Sequence, residues 1–394
     1  MARRPSARLG GAGLLALAAT YGIGRLAYGL FVPAFRQEFD LAVDVVGFYA
    51  SAAQAGYLVA AVATGLVAAR LGPRAPVVTG CVTLSLAAVT VALAPGAGVL
   101  AVGLVAAGVS AGGTWAPFSD AVAEAVPDRG RRHALALVNA GAPAGLLVAS
   151  LAVLATGSHW RLAWWGFAAL GLVAAVAAWR VLPTGSATSR GQQGRPSPRW
   201  FVGPRSARLF AVAVGLSLTC GAFLAHAPDT AVQAGLGAWI GPAMWAVLGF
   251  AGAGLGSLGG RLADRFGLRV PLATMLVLVA AASLLLLAAP GRAPLVLAAA
   301  ALFGTGYTTA YALLVMWSQE VFAAHPTSGF SATLVPIALG FILGPSLFGA
   351  VATHLDRSAA LLATAAPALL VMLLLRVGPG QPGALRAVRE PTSL

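Results

Sequence analysis

The 394 residues are 59% hydrophobic and only 9% charged, with a mean hydropathy of +0.86, more apolar surface than a water-soluble fold of this length covers. Twenty-five basic residues against eleven acidic ones give a net charge of +14, but they sit between apolar runs rather than along one stripe, which excludes a nucleic-acid-binding surface. All the basic residues are Arg, and Cys81 and Cys220 lie inside apolar runs as small packing residues, so neither a disulfide framework nor a metal-ligand spacing is present. The solvent of this chain is lipid.

Arg3, Arg4 and Arg8 precede an Ala/Leu-rich run that resembles a secretory leader. The run continues past the usual length of a leader core and contains Arg25, so it reads as a first membrane helix with a basic cytosolic flank. A spanning helix needs about 20 mostly apolar residues. Twelve stretches qualify: 10–35, 45–68, 76–94, 98–122, 134–155, 161–182, 208–231, 239–260, 271–289, 294–318, 329–353 and 358–376. Backbone groups in hydrocarbon must bond within their own segment, which makes these helices.

With the N-terminus in the cytosol, twenty of the twenty-five arginines fall in inner segments. The outer segments hold only Arg36, Arg161, Arg292 and Arg357, while Glu38, Asp40, Asp44, Asp229 and Asp356 gather there. The excess of cytosolic Arg places both termini inside, and a multi-pass protein of a bacterial inner membrane is expected. Pro183 to Arg205 is rich in Gly, Ser, Pro, Gln and Arg and has almost nothing to bury, as in a flexible linker. The expected domains are residues 1–182 and 208–376, each of six helices, joined by a linker over 183–207 and followed by a cytosolic tail over 377–394.

The two halves carry the same punctuation. Gly65, Arg70, Gly72 and Arg74 recur as Gly260, Arg265, Gly267 and Arg269, each 195 residues on (260 − 65). Pro33 and Pro228 repeat at the same offset, and Glu124 and Glu320 at 196. The duplication predicts an all-α membrane protein of 12 transmembrane helices in two pseudo-symmetric six-helix bundles. Such repeats place a binding site between the halves near the midplane.

Gly260-x-x-x-Asp264-Arg265-x-Gly267-x-Arg269 resembles the loop between helices eight and nine that marks the major facilitator superfamily, and Gly65 to Arg74 resembles its counterpart between helices two and three. The resemblance covers nearly the whole chain. Gly22-Ile23-Gly24-Arg25-Leu26-Ala27-Tyr28 is further similar to a bacterial branch called YbfB/YjiJ-like. Ala69 stands where the first loop of the family usually has Asp, and Leu104 where proton antiporters carry Arg in helix four. Gly141-Ala142-Pro143-Ala144-Gly145 only partly resembles the antiporter Gly-Pro element, so this pattern departs from the family's drug antiporters.

Arg25 stands out. Counted from about Leu14 at 1.5 Å per residue it lies roughly 17 Å into a core of about 30 Å. An Arg at that depth requires an aqueous cavity or an acceptor, and no acidic residue lies at matching depth. It either attracts an anionic group of a solute with its planar fork or bonds helix carbonyls, Gln54 or Asn139 as a structural element. Tyr21 and Tyr28, at i−4 and i+3, are expected on its face, with Gln54 and Tyr57 paired on helix two. Thr114 and Trp115 break the apolar run of helix four, and Trp115 corresponds to Tyr311, which pairs with Tyr307 on helix ten. Asn139 and His226 are polar intrusions of the same kind. These residues are either cavity lining or packing and interface anchors.

The family resemblance implies that the halves rock and that the repeated loops help gate one face. Arg70, Arg74, Arg265 and Arg269 share that side with Glu124, Asp264 and Glu320, and Gly65, Gly72, Gly260 and Gly267 permit close turns. Nothing resembles a phosphate loop, a metal cluster or a Ser/His/Asp constellation, so no enzyme and no cofactor is expected. The expected function is alternating-access transport of a small-molecule solute, an organic anion such as a carboxylate, by a monomer in a lipid bilayer. A proton is the candidate coupling ion, with Asp120, Glu124, Asp229 and His226 as available carriers. The alternatives are an exporter of amphipathic or cationic compounds and a non-transporting sensor on the same scaffold.

Overall fold

The computed structural model describes residues 3–184, 203–256, 258–323 and 326–375. Most of the expected linker and the whole of the expected tail lie outside them. Among the described residues all regular structure is helical.

The first crossing runs through α1 (Arg3–Leu17), a π-helical stretch (Ala18–Leu26) and α2 (Tyr28–Phe39). α3 (Val43–Leu71) and α4 (Arg74–Ala92) are the second and third. α5 (Ala97–Gly112) with α6 (Trp115–Ala125) forms the fourth, and α7 (Asp128–Asn139) with α8 (Gly141–Thr156) the fifth. α9 (Trp160–Val181) completes the first half. The second half comprises α10 (Pro204–Gln233), α11 (Ile240–Gly256) continued by α12 (Leu258–Phe266), α13 (Arg269–Ala288), α14 (Ala293–Val321), α15 (Pro326–His354) and α16 (Arg357–Leu375). Eleven helical spans are long and apolar enough to cross a membrane, and the eighth crossing adds the shorter apolar stretch Ile240–Gly252. Phe250, 86% exposed on the outside of the bundle, would be costly in water and is at home in lipid.

Packing repeats with the sequence. The second crossing packs on the fourth as the eighth does on the tenth, and the third on the sixth as the ninth does on the twelfth. The repetition extends to single atoms. Gly108 lies so close to the Ala53 carbonyl that no Cβ fits, and Gly304, 196 residues on, meets the Leu248 carbonyl in the same way. Small residues at such crossings bring helix backbones together where no hydrophobic force separates protein from lipid. Gly72 and Gly267 both turn with φ of +71°, a conformation that favours glycine, so the repeated glycines make the same left-handed turn.

The face that holds the start of α1 and the end of α16 is the terminal face; the opposite one is the far face. The halves meet mainly where α2, α3 and α8 pack on α10, α11 and α15. α1, α6 and α7, which lie toward the terminal face, pack chiefly within the first half, and α12 packs chiefly within the second. The described contact between halves is therefore weighted toward the far face and the middle.

Candidate functional site

The π-helical stretch positions the central charge. Its wider winding needs a surface without bulky side chains, and Gly22 supplies one against Ala142 and Gly145 while Gly24 lies against Ala107 and Ser110. Thr20 Oγ1 donates to the Ala16 carbonyl at 2.8 Å and meets Thr114 Oγ1 at 2.9 Å, fixing the stretch to the fourth crossing. π-Helical turns inside membrane helices often mark functional positions, and this one carries Arg25.

Arg25 is half-buried. Its Nε donates to Gln54 Oε1 at 3.1 Å. The guanidinium carbon lies 4.0 Å from the centroid of Tyr57, 5.3 Å from Tyr21 and 5.5 Å from Phe341, the last belonging to the second half. Among the described residues neither Nη group has a hydrogen-bond partner and no carboxylate pairs with the charge. An Arg near the centre of a membrane helix costs roughly 2.5–3.5 kcal/mol. A desolvated cation–π contact returns about 2 kcal/mol. The rings and Gln54 thus make the charge tolerable without neutralising it.

Tyrosines surround this charge. Tyr21 and Tyr57 join hydroxyls at 2.6 Å and cross edge to face at 5.7 Å. Trp115 meets Tyr21 edge to face at 5.5 Å and donates Nε1–H to Asn139 Oδ1 at 3.1 Å. From the second half, Tyr307 and Tyr311 contact each other at 5.1 Å, Tyr307 stacks on Phe303 at 5.5 Å and Tyr311 on Phe341 at 6.1 Å. The Tyr311 hydroxyl meets Ser217 Oγ at 2.5 Å, whereas the Tyr307 hydroxyl has no hydrogen-bond partner among the described residues. Phe341, whose ring lies 5.5 Å from the guanidinium carbon, joins this pair to Arg25. The cluster draws on crossings one, two, four, five, seven, ten and eleven, so it spans the two halves.

Arg25, Tyr21, Gln54, Tyr57, Trp115, Asn139, Tyr307 and Tyr311 are thus brought together. Three expected residues are not. Tyr28 is turned away and donates its hydroxyl to the Val46 carbonyl at 2.9 Å, because π-winding before Ala27 shifts the rotation that α-helical spacing assumes. Thr114 is fully buried in the joint with Thr20. His226 lies toward the far face, stacked on Phe348 at 4.3 Å with Nε2 3.1 Å from the Pro345 carbonyl. Phe341, Phe303 and Ser217 are members that sequence reasoning missed, being single aromatic or small polar residues in apolar helices.

The expected gating residues lie at the terminal face. Arg74 donates Nε–H to the Leu182 carbonyl at 2.6 Å and covers Trp179 at 5.4 Å, contacts inside the first half. Asp264, Arg265, Arg269, Glu124 and Glu320 are exposed, with Arg265 over Phe266 at 5.2 Å. Gly65 has open space around it, and Gly260 lies within α12. The Arg70 side chain lies outside the described residues. A cleft of about 430 Å³ at the same face, lined by Gly203 to Ser206, Arg208, Val321 and Phe322, contains none of the expected site residues.

The far face holds bonds between the halves that the sequence did not pair. Arg36 Nη1 lies 2.6 Å from Asp229 Oδ2, and Arg357 Nη2 lies 3.6 Å from the same oxygen. Ser346 donates Oγ–H to Ser51 Oγ at 2.7 Å, and Gly47 lies against the Pro345 backbone. Glu38 accepts from Trp160 Nε1 at 2.7 Å and from Arg161, closing the far end of the first half alone. The available signal was the pair of opposite charges after Pro33 and Pro228, at matching ends of crossings one and seven.

The family model described as Major Facilitator Superfamily matches residues 14–335, more than half of the chain. The fold is similar to a bacterial homologue of the human lysosomal transporter Spinster in an inward-facing, occupied conformation, with TM-score 0.75, 14% identity, and coverage of 93% of this chain and 95% of that one. It is also similar to the nucleoside transporter NupG, with TM-score 0.76, 13% identity, and coverage of 95% and 98%. No curated protein matches the sequence. With a family match of that extent over twelve membrane crossings, the chain belongs to the major facilitator superfamily and is a multi-pass membrane transporter.

Proposed function

We propose that this transporter moves an organic anion, a carboxylate above all, by alternating access around Arg25. The observation that carries the reading is the state of the guanidinium: one edge is held by Gln54, while both Nη groups have no protein partner among the described residues. A planar fork with two free N–H pairs matches a carboxylate bidentately. A cationic solute meets an uncompensated positive charge at the same place, which disfavours the exporter reading.

In this reading both termini are cytosolic in a bacterial inner membrane, as the arginine asymmetry supports, and the monomer is the working unit. The far face is then the outer face, closed by Arg36, Asp229, Ser51 and Ser346. Its opening breaks the bonds between halves while the repeated loops of the terminal face, with Gly72 and Gly267 at their turns, come together. Asp229, one of the expected carriers, takes part in the bond that has to break.

The test is solute-dependent thermal stabilisation of the purified protein, comparing carboxylates, sugars and lipophilic cations, with uptake into liposomes for each hit. Carboxylates are expected to stabilise the wild type and to lose the effect in Arg25→Ala. Stabilisation by cations that survives Arg25→Ala refutes the assignment.

A further inference from the structure

The surroundings of Arg25 narrow the class of anion, and we infer that the site takes a flat aromatic monocarboxylate. This rests on the reading that Arg25 receives the solute's carboxylate. Among the described residues the charge is single and no carboxylate accompanies it, so one negative charge balances the site. A second carboxylate on the same solute would be desolvated without a second cation to receive it.

The walls are aromatic and come from both halves. Tyr57 and Tyr21 flank the guanidinium from the first half and Phe341 from the second. Beyond them Phe341, Tyr311, Tyr307 and Phe303 continue as a file of rings with successive centroids 6.1, 5.1 and 5.5 Å apart. Tyr307 and Tyr311 are half-buried, so parts of these rings remain available. An arylcarboxylate is flat through ring and carboxyl group alike. Held by its carboxylate at Arg25, it places its ring among these faces at the 4.5–7 Å centroid spacing that aromatic pairs prefer. A saturated ring of equal charge gains hydrophobic contact there but not the quadrupolar term. The unpartnered Tyr307 hydroxyl adds a donor for a polar substituent on the aromatic ring.

The experiment is isothermal titration of the full-length protein in nanodiscs with benzoate, cyclohexanecarboxylate, phthalate and benzylammonium. Benzoate is expected to bind at least fivefold more tightly than cyclohexanecarboxylate and phthalate. Tyr307→Leu is expected to bring the benzoate to cyclohexanecarboxylate ratio close to one while cyclohexanecarboxylate binding persists. Thermal unfolding establishes that the variant is folded. Equal affinity for benzoate and cyclohexanecarboxylate in the wild type overturns this inference and leaves the anion reading standing. Binding of benzylammonium with neither acid bound overturns both. Failure of benzoate to bind, with cyclohexanecarboxylate or phthalate bound, overturns the aromatic class alone. Failure of all four to bind overturns it as well.

Discussion

Asp229 ties Arg36 of the first half to its own helix in the second, and its side chain is only 3% exposed. Arg357 approaches the same carboxylate oxygen from the twelfth crossing, so one buried acid serves two cations at the far face. Removing one partner of a buried ion pair costs roughly 3–5 kcal/mol. In an alternating protein that loss falls on the closed state of this face, and the population moves toward the open one. Asp229→Asn is expected to raise the alkylation rate of Ser51→Cys by an impermeant maleimide at least tenfold. Cys81 and Cys220, fully buried in this state, are replaced by Ser in the labelled protein so that only the introduced thiol reports. An unchanged rate means that the ion pair does not hold the face shut.

The Ser51 and Ser346 oxygens lie 2.7 Å apart on opposite sides of the same boundary. Ser51→Cys combined with Ser346→Cys is expected to form a disulfide under mild oxidation and to abolish transport. Reductant is expected to restore transport to the level of the unoxidised double variant. Full transport by the cross-linked protein contradicts a need to open at this point.

Gln54→Glu places a carboxylate 3.1 Å from Arg25 Nε with little change of shape. It supplies the counter-charge that the site lacks, so carboxylate binding is expected to fall by more than a hundredfold. The same change relieves an uncompensated cation, and thermal stability is expected to hold or rise. Gln54→Leu instead removes an acceptor, with an expected loss of about 1–3 kcal/mol in stability. The opposite signs of the two stability changes, read by thermal unfolding, separate charge from packing.

Gly108 and Gly304 perform the same service in the two halves, each admitting a neighbouring carbonyl where a Cβ has no room. Gly108→Leu and Gly304→Leu are both expected to destabilise by at least 1–3 kcal/mol through overpacking. Gly65→Leu, where the space is open, is expected to be well tolerated. The measurement is the yield of monodisperse protein after heating.

Much of this fold is written in the chain because membrane helices are specified by length and polarity alone. The run from Pro204 to Gln233 could only span, and the arginine loops at Arg74 and Arg269 mark the same turn in the two halves. Arg25 was legible for the same reason: a charge at that depth needs a cavity or an acceptor, and Gln54 Oε1 is one such acceptor. The position of Tyr28 was not, because apolar sequence gives no sign of where α-winding relaxes into π-winding. Phe341 escaped because an aromatic residue in an apolar helix looks alike whether it faces lipid or a guanidinium. The Asp229 bonds were hidden since opposite charges at helix ends show no partner until the two crossings are packed.

Duplication made the two scaffolds alike, but it did not make their centres alike. The residue 195 positions after Arg25 is Cys220, a buried thiol in α10, so the central cation belongs to one bundle only. Under the proposed role of Arg25, a bound anion would ride on the first bundle as on a carriage while the second passed over it like a sliding door.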